Sequence, residues 1–403
     1  MPLLFRQRAS QNSLPRITPS VAALVAYGLC CTVLVALLAG ARSFAPREAF
    51  STAASKRTSP VPMSPSSPAT ESVRWRPLGP ELFPSPVSPD DGCRYAKDEA
   101  YLGAVLGSWK TNPAGPRAET SPWVYRDQDG TALYGHAVRP IERTASTGAP
   151  RPGILLFHTA AGPQDVFLFQ KAEQLAVSGD LGPDGCVVLV CDLLSDPDGW
   201  AWTPGGDRTR FDRQKELLFR DNARLLRARV EAAVEALSGD DRLGVDPDRL
   251  AGLGWCFGAH PILELSGLRR PLEGGTEEGP TAVALVSYHG VYRRDPPGSP
   301  ATGGDPGDGP RGILPPAPVG DVLICTGGSD PFVSGEDLDA AKAAMEEGSY
   351  RVAIAEFEGA KHGFTNPAQD FNPNPAFGYD EHAATESWKA TMELLKRRLG
   401  PPG

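Results

Sequence analysis

The chain has 403 residues, of which 40% are hydrophobic and 22% are charged, a composition that suits one large soluble domain with extensions. Its charge is unevenly spread, because residues 1–76 hold nine Lys or Arg against two Asp or Glu, whereas the remainder holds 31 against 47. The acidic remainder predicts no nucleic-acid partner, since contacts to phosphates need clustered basic side chains. The seven scattered cysteines argue against a disulfide framework, and the lack of a Cys-x-x-Cys pair argues against a structural zinc site.

The first segment of the chain is a basic stretch followed by a long apolar one. Arg6, Arg8 and Arg16 precede Ile17–Ala41, which contains no charged residue. The apolar part, Val21–Ala39, approaches the ~20 residues that a bilayer-spanning helix needs. A cleavable signal peptide and a membrane anchor therefore both fit residues 1–43, and membrane contact is expected through this segment alone, if it is retained.

The stretch after the apolar segment resembles a second targeting signal. Ser43-Phe44-Ala45-Pro46 opens a stretch that is basic, poor in acidic residues, and rich in Ser, Thr, Ala and Pro as far as Arg76. It resembles the two-part presequence of algae with complex plastids, in which a signal peptide precedes a transit peptide that begins with Phe. We expect plastid import, with membrane anchoring and secretion as the alternatives. Because Pro and Ser dominate its later part, the segment 44–89 is predicted to end in a disordered linker.

The predicted fold class is α/β, with a mostly parallel central sheet and helices on both faces. Residues 90–121 are predicted to be an N-terminal extension with a short helix at Glu99–Trp109, either a surface helix without function or a helix packed on the domain. The main domain is predicted at 122–400. In that domain a hairpin precedes apolar strands that alternate with helices. Two segments rich in Gly and Pro, Arg269–Pro280 and Arg293–Pro318, are predicted as surface loops, the second either a flexible insertion or a partial lid.

The most informative motif is Gly254-Trp255-Cys256-Phe257-Gly258, which lies between an apolar run, Arg249–Leu253, and a helix-like run, Ala259–Leu265. A strand, a sharp turn and a helix with a nucleophile at the apex need glycine on both sides, because the turn leaves no room for β-carbons. Asp330 and His362 each follow a later strand-like run, in the chain order that α/β-hydrolases use. The carboxyl ends of parallel strands meet at one edge of a sheet, so these side chains are expected to converge.

On these motifs the chain resembles the dienelactone hydrolase family, from about Trp123 to Leu399. Further landmarks of the resemblance are Gly153–His158, Val286–Gly290 and Lys361–Pro367. The resemblance implies an α/β-hydrolase that cleaves a small-molecule ester, lactone or thioester without a cofactor or a metal.

The resemblance also implies roles for individual residues. Cys256 is the nucleophile, activated by the helix N-terminus and an imidazole, while His362 is the general base and Asp330 orients it. The backbone N–H groups of Phe257 and Ala160 form the oxyanion hole. A structural alternative stays open for each member of the triad: a small buried cysteine, a histidine held in a loop, and an Asx turn.

Two positions depart from the family's pattern. Thr159 stands where the best-known members carry a glutamate that regulates the cysteine, and Asn366 stands where they carry an arginine that binds a substrate carboxylate. We therefore expect a neutral substrate, bound by Thr159, His289 and Asn366, with a packed histidine as the alternative for His289. His158 is expected to brace the loop after its strand, and His260 is expected to lie on the surface.

A function from a different class also stays open. On the same fold, Cys256 would persist as a reactive thiol in a non-catalytic module that binds a ligand or senses redox conditions. Activity of the purified protein on aryl esters separates the two functions, whereas the sequence leaves the natural substrate and the oligomeric state open.

Overall fold

The computed structural model describes residues 73–83, 99–141, 148–196, 200, 209–271, 278–293 and 320–401. Within these ranges the strands are β1 (Arg76–Leu78), β2 (Ala118–Arg126), β3 (Ala132–Pro140), β4 (Arg151–Phe157), β5 (Val187–Cys191), β6 (Val245–Trp255), β7 (Arg269–Pro271), β8 (Glu278–Pro280), β9 (Ala284–Tyr288), β10 (Gly320–Gly327) and β11 (Tyr350–Phe357). The helices are α1 (Glu99–Ser108), α2 (Val166–Ala176), α3 (Thr209–Ser238, kinked at 220–223), α4 (Ala259–Gly267), α5 (Gly335–Glu347) and α6 (Glu381–Leu399).

Nine of the described strands form one sheet, in the order β1-β2-β3-β5-β4-β6-β9-β10-β11. The six from β5 to β11 in that order are parallel. At one edge of the sheet lie β1, β2 and β3, which pair with one another and with β5 in antiparallel fashion. The predicted α/β-hydrolase architecture with a mostly parallel sheet is therefore confirmed.

The central strands are apolar along their length because helices cover both faces of the sheet. Every residue of β5 and β9 is buried. In β4, Ile154 and Leu156 pack in the core formed with α1, α2 and α6, whereas Leu155 and Phe157 pack in the core formed with α3, α4 and α5. Successive side chains of a strand point to opposite faces, so one apolar run contributes to both cores.

The segment before residue 122 is part of the fold, which corrects the predicted domain boundary and the predicted linker. β1 pairs with β2, and the boundary at 122 falls inside β2. Leu78 and Phe83 are buried although their segment was predicted to be disordered. Helix α1 packs on the domain through the buried Leu102 and Val105, which is the second of its two predicted placements. Composition misleads here because a three-residue strand gains its hydrogen bonds and its cover from residues distant in sequence.

Three other predictions concern segments outside the central sheet. Arg269–Pro280, predicted as a loop, contains β7 and β8, which pair with each other as antiparallel strands. The predicted lid lies outside the described residues, except for Arg293. None of the helices in the described ranges is long and apolar enough to cross a lipid bilayer, and the apolar segment Val21–Ala39 lies outside those ranges.

Candidate active site

Cys256 lies at the apex of a sharp turn between β6 and α4. β6 ends at Trp255, the next three residues form a single 3₁₀ turn, and α4 begins at Ala259. The φ angle of Cys256 is 55°, in the left-handed region that residues other than glycine rarely adopt. A strained strand-to-helix turn of this kind presents its central side chain at the carboxyl end of the sheet. Cys256 is only half-buried, so a solute can reach it.

Both glycines of this elbow are needed because neighbouring backbone occupies the space of a side chain. A β-carbon on Gly254 would clash with the carbonyl group of Gly258, and one on Gly258 would lie 2.5 Å from the carbonyl oxygen of Phe157. Backbone atoms cannot turn aside as the end of a flexible side chain can. The structure therefore confirms the inference from the motif that the turn has no room for β-carbons at these two positions.

Asp330 and His362 meet in the loops that follow β10 and β11. Nδ1 of His362 lies 2.8 Å from Oδ2 of Asp330, and both side chains are almost completely buried. Oδ1 of Asp330 accepts a hydrogen bond from the N–H of Phe332 at 2.9 Å. The aspartate thus forms an Asx turn and bonds the histidine as well, because its carboxylate has one oxygen for each.

The other side of the His362 ring is hydrogen-bonded to Cys256. Since Asp330 engages Nδ1, the nitrogen that faces the sulfur is Nε2. Burial acts to lower the pKa of His362, but the negative charge of the Cys256 thiolate and the hydrogen bond to Asp330 outweigh it and raise the pKa to about 10. A raised pKa keeps the proton on the imidazole of His362 at neutral pH, which is the form that a thiolate and imidazolium pair requires.

Three aromatic rings enclose the imidazole of His362. His289, Phe332 and Phe377 meet it edge to face, with centroid distances of 4.9, 5.0 and 5.0 Å. Phe332 remains 41% exposed, so it presents an apolar surface beside the histidine. Sequence reasoning singled out neither phenylalanine, although Phe332 follows Asp330 by two residues and its proximity could have been inferred from that.

His289 lies next to His362, and it was predicted either to line the pocket or to be a packed histidine. Its φ angle is 38°, and its N–H donates a hydrogen bond to the carbonyl oxygen of Cys325 at 2.7 Å. Nε2 lies 3.2 Å from Oγ1 of Thr365, while the buried Nδ1 has no hydrogen-bond partner among the described residues. Burial and then the charge of His362 lower the pKa of His289 well below its ordinary value, so this ring is neutral. Contact between His289 and a substrate stays a prediction.

His158 braces the loop after β4. Its Nε2 accepts a hydrogen bond from the N–H of Leu193 at 3.2 Å, so the proton resides on Nδ1, which donates to the carbonyl oxygen of Thr159 at 2.6 Å. Oγ1 of Thr159 accepts a hydrogen bond from the N–H of Ala161 at 3.2 Å. The side chain of Thr159 thus helps to shape the turn that contains Ala160, and its contact with a substrate stays a prediction.

His260 does not lie on the surface, which corrects its prediction. It is buried, and its ring contacts those of Phe219 and Phe257 at centroid distances of 4.5 and 5.7 Å. Phe219 belongs to α3, so the packing of α3 on α4 buries a histidine that looked exposed in the sequence. The oxyanion-hole role of the N–H groups of Phe257 and Ala160 stays a prediction.

Asn366 is engaged within the protein at both ends of its amide. Nδ2 donates to the hydroxyl of Tyr101 at 2.7 Å, and Oδ1 accepts from the N–H of Ala368 at 3.0 Å. Contact of Asn366 with a substrate stays a prediction. Tyr101 lies in α1, and no local pattern in the sequence links it to this site, because 265 residues separate the two partners.

The sheet, the nucleophile elbow, and the aspartate and histidine after later strands define an α/β-hydrolase. The model of the dienelactone hydrolase family matches residues 142–399, and the chain belongs to that family. The predicted resemblance is thus confirmed, and the protein is an ester or lactone hydrolase by class.

The chain is also similar to known proteins in sequence or structure. The solved structure m3DLH is 26% identical, with a TM-score of 0.51, over 70% of this chain and 99% of that one. A dienelactone hydrolase-like promiscuous phosphotriesterase from metagenomic libraries is 23% identical, has a TM-score of 0.52 and the same coverage, and supports the fold. An uncharacterized protein of Caenorhabditis elegans is 28% identical over 172 residues, which are 42% of this chain and 92% of that protein.

Proposed function

We propose that the protein hydrolyses a small, neutral carboxylic ester, lactone or thioester through a cysteinyl acyl-enzyme. Cys256 is the nucleophile, His362 is the general acid and base, and Asp330 orients the imidazole. The observation that carries the proposal is the continuous hydrogen-bonded chain from Asp330 through His362 to Cys256. An isolated core cysteine, or a histidine merely held in its loop, would not account for bonds on both sides of one imidazole.

Acylation begins from the thiolate and imidazolium pair. The thiolate of Cys256 attacks the carbonyl carbon, and the N–H groups of Phe257 and Ala160 stabilise the oxygen that gains negative charge. When the tetrahedral intermediate collapses, the bond to the leaving oxygen or sulfur breaks, and Nε2 of His362 gives that atom its proton. A thioester on Cys256 and a neutral imidazole remain.

Deacylation reverses the proton transfer. Neutral Nε2 of His362 takes a proton from a water molecule as the water oxygen attacks the thioester carbon. Collapse breaks the C–S bond, releases the carboxylic acid and regenerates the thiolate of Cys256 beside the imidazolium. For a lactone, the released alcohol and acid are two ends of one product.

The surroundings of the triad favour a neutral substrate. The position four residues after His362 holds Asn366, whose amide is hydrogen-bonded to Tyr101. A charge-assisted contact to a substrate carboxylate, worth about 1.5–3 kcal/mol, is not available from that position. The exposed part of Phe332 offers an apolar surface instead.

The test is hydrolysis of aryl esters, and of neutral and carboxylated lactones of equal size, by the purified protein. Cys256→Ala is expected to lose about 10³-fold or more in kcat and to keep its fold. Cys325→Ala, a matched change at a buried cysteine, is expected to keep activity. In a rapidly quenched reaction, a mass increase equal to the acyl group identifies the intermediate on Cys256.

Two results would contradict parts of the proposal. Near wild-type turnover by Cys256→Ala would mean that another group is the nucleophile, and a strong preference for the carboxylated lactone would exclude the neutral substrate class. No hydrolysis of any compound, together with rapid alkylation of Cys256, would favour the ligand-binding or redox-sensing alternative.

A further inference from the structure

One hydroxyl group of α1 joins two loops of the candidate active site. Nδ2 of Asn366 donates a hydrogen bond to Oη of Tyr101 at 2.7 Å. The same Oη donates toward the carboxylate of Asp165, with its oxygens 3.4 and 3.5 Å away. Asn366 belongs to the loop that carries His362, and Asp165 ends the loop that begins after β4. Tyr101 therefore bridges the two loops.

All three members of this bridge are buried, and each loop partner is anchored at its other side. Tyr101, Asp165 and Asn366 are 9%, 1% and 5% exposed, so water cannot replace the hydrogen bonds without a cost. Asp165 also accepts from the N–H of Phe167 at 3.1 Å and caps α2. Asn366 accepts from the N–H of Ala368 at 3.0 Å. A hydrogen-bonded chain thus runs from the start of α2 to the turn after His362.

Short turns connect the ends of this bridge to the reacting groups. The N–H of Asn366 donates to the carbonyl oxygen of Gly363, the neighbour of His362, at 2.9 Å. On the other side, the N–H of Asp165 donates to Gly162 at 3.4 Å, and the N–H of Gly162 donates to Thr159 at 3.2 Å. A displacement at Tyr101 would therefore pass through single turns to the imidazole and to the turn that contains Ala160.

The bridge combines a residue from outside the family match with a position at which this chain departs from the family. Tyr101 precedes residue 142, where the match to the family model begins. Its partner, Asn366, stands where the family resemblance places a substrate-binding arginine. Tyr101, which precedes the family domain, is thus hydrogen-bonded to Asn366, at the position where the best-known members of the family bind substrate.

We propose that Tyr101 is a positioning residue, which holds the loop of His362 and the loop after β4 in register for acyl transfer. The inference rests on the proposed hydrolase function for its kinetic test. Because the bridge acts on the relative placement of groups that react, its loss lowers kcat more than it weakens substrate binding.

The experiment compares Tyr101→Phe with Trp109→Phe in the full chain. Trp109 directly follows α1, and its Nε1 donates to Oε2 of Glu173 in α2 at 2.5 Å, so its hydrogen bond fastens the same segment to α2. We expect Tyr101→Phe to lower kcat about tenfold with KM within about twofold of wild type. Trp109→Phe is expected to lower Tm and to keep kcat within about twofold. Adding Tyr101→Phe to Asn366→Ala is expected to cause no further loss of kcat, because Asn366→Ala alone already breaks the bridge between the two loops.

Equal loss of kcat in the Tyr101 and Trp109 variants, or no loss in Tyr101→Phe, would show that α1 merely supports the fold. A second readout does not depend on turnover: amide hydrogen exchange at 159–165 and 362–368 is expected to accelerate in Tyr101→Phe and to stay unchanged in Trp109→Phe. If the wild-type protein hydrolyses nothing, the proposed function fails while this exchange pattern still tests the bridge. Unchanged exchange at both loops in Tyr101→Phe would overturn the proposal.

Discussion

The imidazole of His289 meets the imidazole of His362 edge to face, with 4.9 Å between the ring centroids. Two buried histidines at this separation cannot both be positively charged without repulsion. Burial and the neighbouring charge lower the pKa of His289 well below its ordinary value, whereas the pKa of His362 is raised. His289 is therefore a neutral ring that packs against the imidazole of His362.

The first prediction concerns this packing. His289→Asn removes the ring, while asparagine tolerates the positive φ of this position. We expect a loss of about tenfold in kcat, because the imidazole of His362 gains room to turn. Thr365→Val keeps the ring but removes the hydrogen bond to Nε2 of His289, so it is expected to cost about 1–3 kcal/mol in the free energy of unfolding and to retain most activity. Steady-state kinetics on an aryl ester measure the activity of both variants, and a denaturant titration measures the free energy of unfolding of Thr365→Val. Full activity of His289→Asn would contradict the argument.

The second prediction is an alkaline limit to activity. Nε2 of His362 must hold a proton for the leaving group, so kcat/KM is expected to fall as the pH rises through about 10. The imidazolium also contributes to the free energy of unfolding. That contribution is fully present below the ordinary pKa of 6.5 and is lost as the pH rises from there through about 10. A pH–rate profile and a series of unfolding curves measure the two effects.

Asp330→Asn is the matched variant for this profile. The amide keeps an acceptor for the N–H of Phe332 but removes the negative charge that helps to raise the pKa of His362. We expect the alkaline fall to move to lower pH and kcat to drop about 10³- to 10⁴-fold, as in other catalytic triads. An unchanged pH profile would mean that the aspartate does not support the charge of the imidazole.

The third prediction compares two glycines. An added β-carbon at Gly258 meets the backbone of Phe157, whereas one at Gly267, near the end of α4, has no neighbour within 4 Å. We expect Gly258→Ala to lose hydrolysis and about 1–3 kcal/mol of the free energy of unfolding. Gly267→Ala is expected to be neutral or to gain up to about 1 kcal/mol from helix propensity. Denaturant titrations and esterase assays compare them, and a stable, active Gly258→Ala protein would refute the steric argument.

The fourth prediction is selective alkylation. Cys186, Cys191 and Cys325 are buried, as expected for core cysteines, and burial raises the pKa of each thiol above its ordinary range. Cys256 is accessible and paired with an imidazolium, so iodoacetamide at neutral pH is expected to modify it long before these three. Peptide mass spectrometry reads out each site. Slow modification of Cys256 that accelerates with substrate would show that a different group holds its proton in the free enzyme.

The fifth prediction concerns the leader, for which we propose import into a plastid. The apolar core and the Ser43-Phe44 junction suggest removal of the leader, so the mature N-terminus, sequenced from native material, is expected beyond Ser43. Recovery of the intact leader in an integral membrane fraction would favour the anchor. A mature form that begins beyond Ser43 but is found outside the cell would favour secretion.

Local patterns in the sequence sufficed for the elements on which the family resemblance depends. Strands β4, β5 and β9 could be predicted because continuous apolar runs are the signature of strands covered on both faces. The paired glycines around Cys256 predicted a strand, turn and helix, because a clash between backbone atoms and a β-carbon is decided within a few residues. The same patterns predicted the helix α1 but not its burial, and they missed the strand β1, because the burial of both depends on strands and helices far along the chain.

By itself the sequence determined the family, the fold class and the order of candidate groups along the chain, since each is recorded in adjacent residues. The tertiary structure alone decided that Asp330 bonds both Phe332 and His362, that His289 is neutral, and that Asn366 bonds Tyr101. The physical reason is that burial, charge and hydrogen bonding are set by neighbours in space. Such neighbours can lie far apart in the chain, by 265 residues for Asn366 and Tyr101, and no local pattern contains the distance between them.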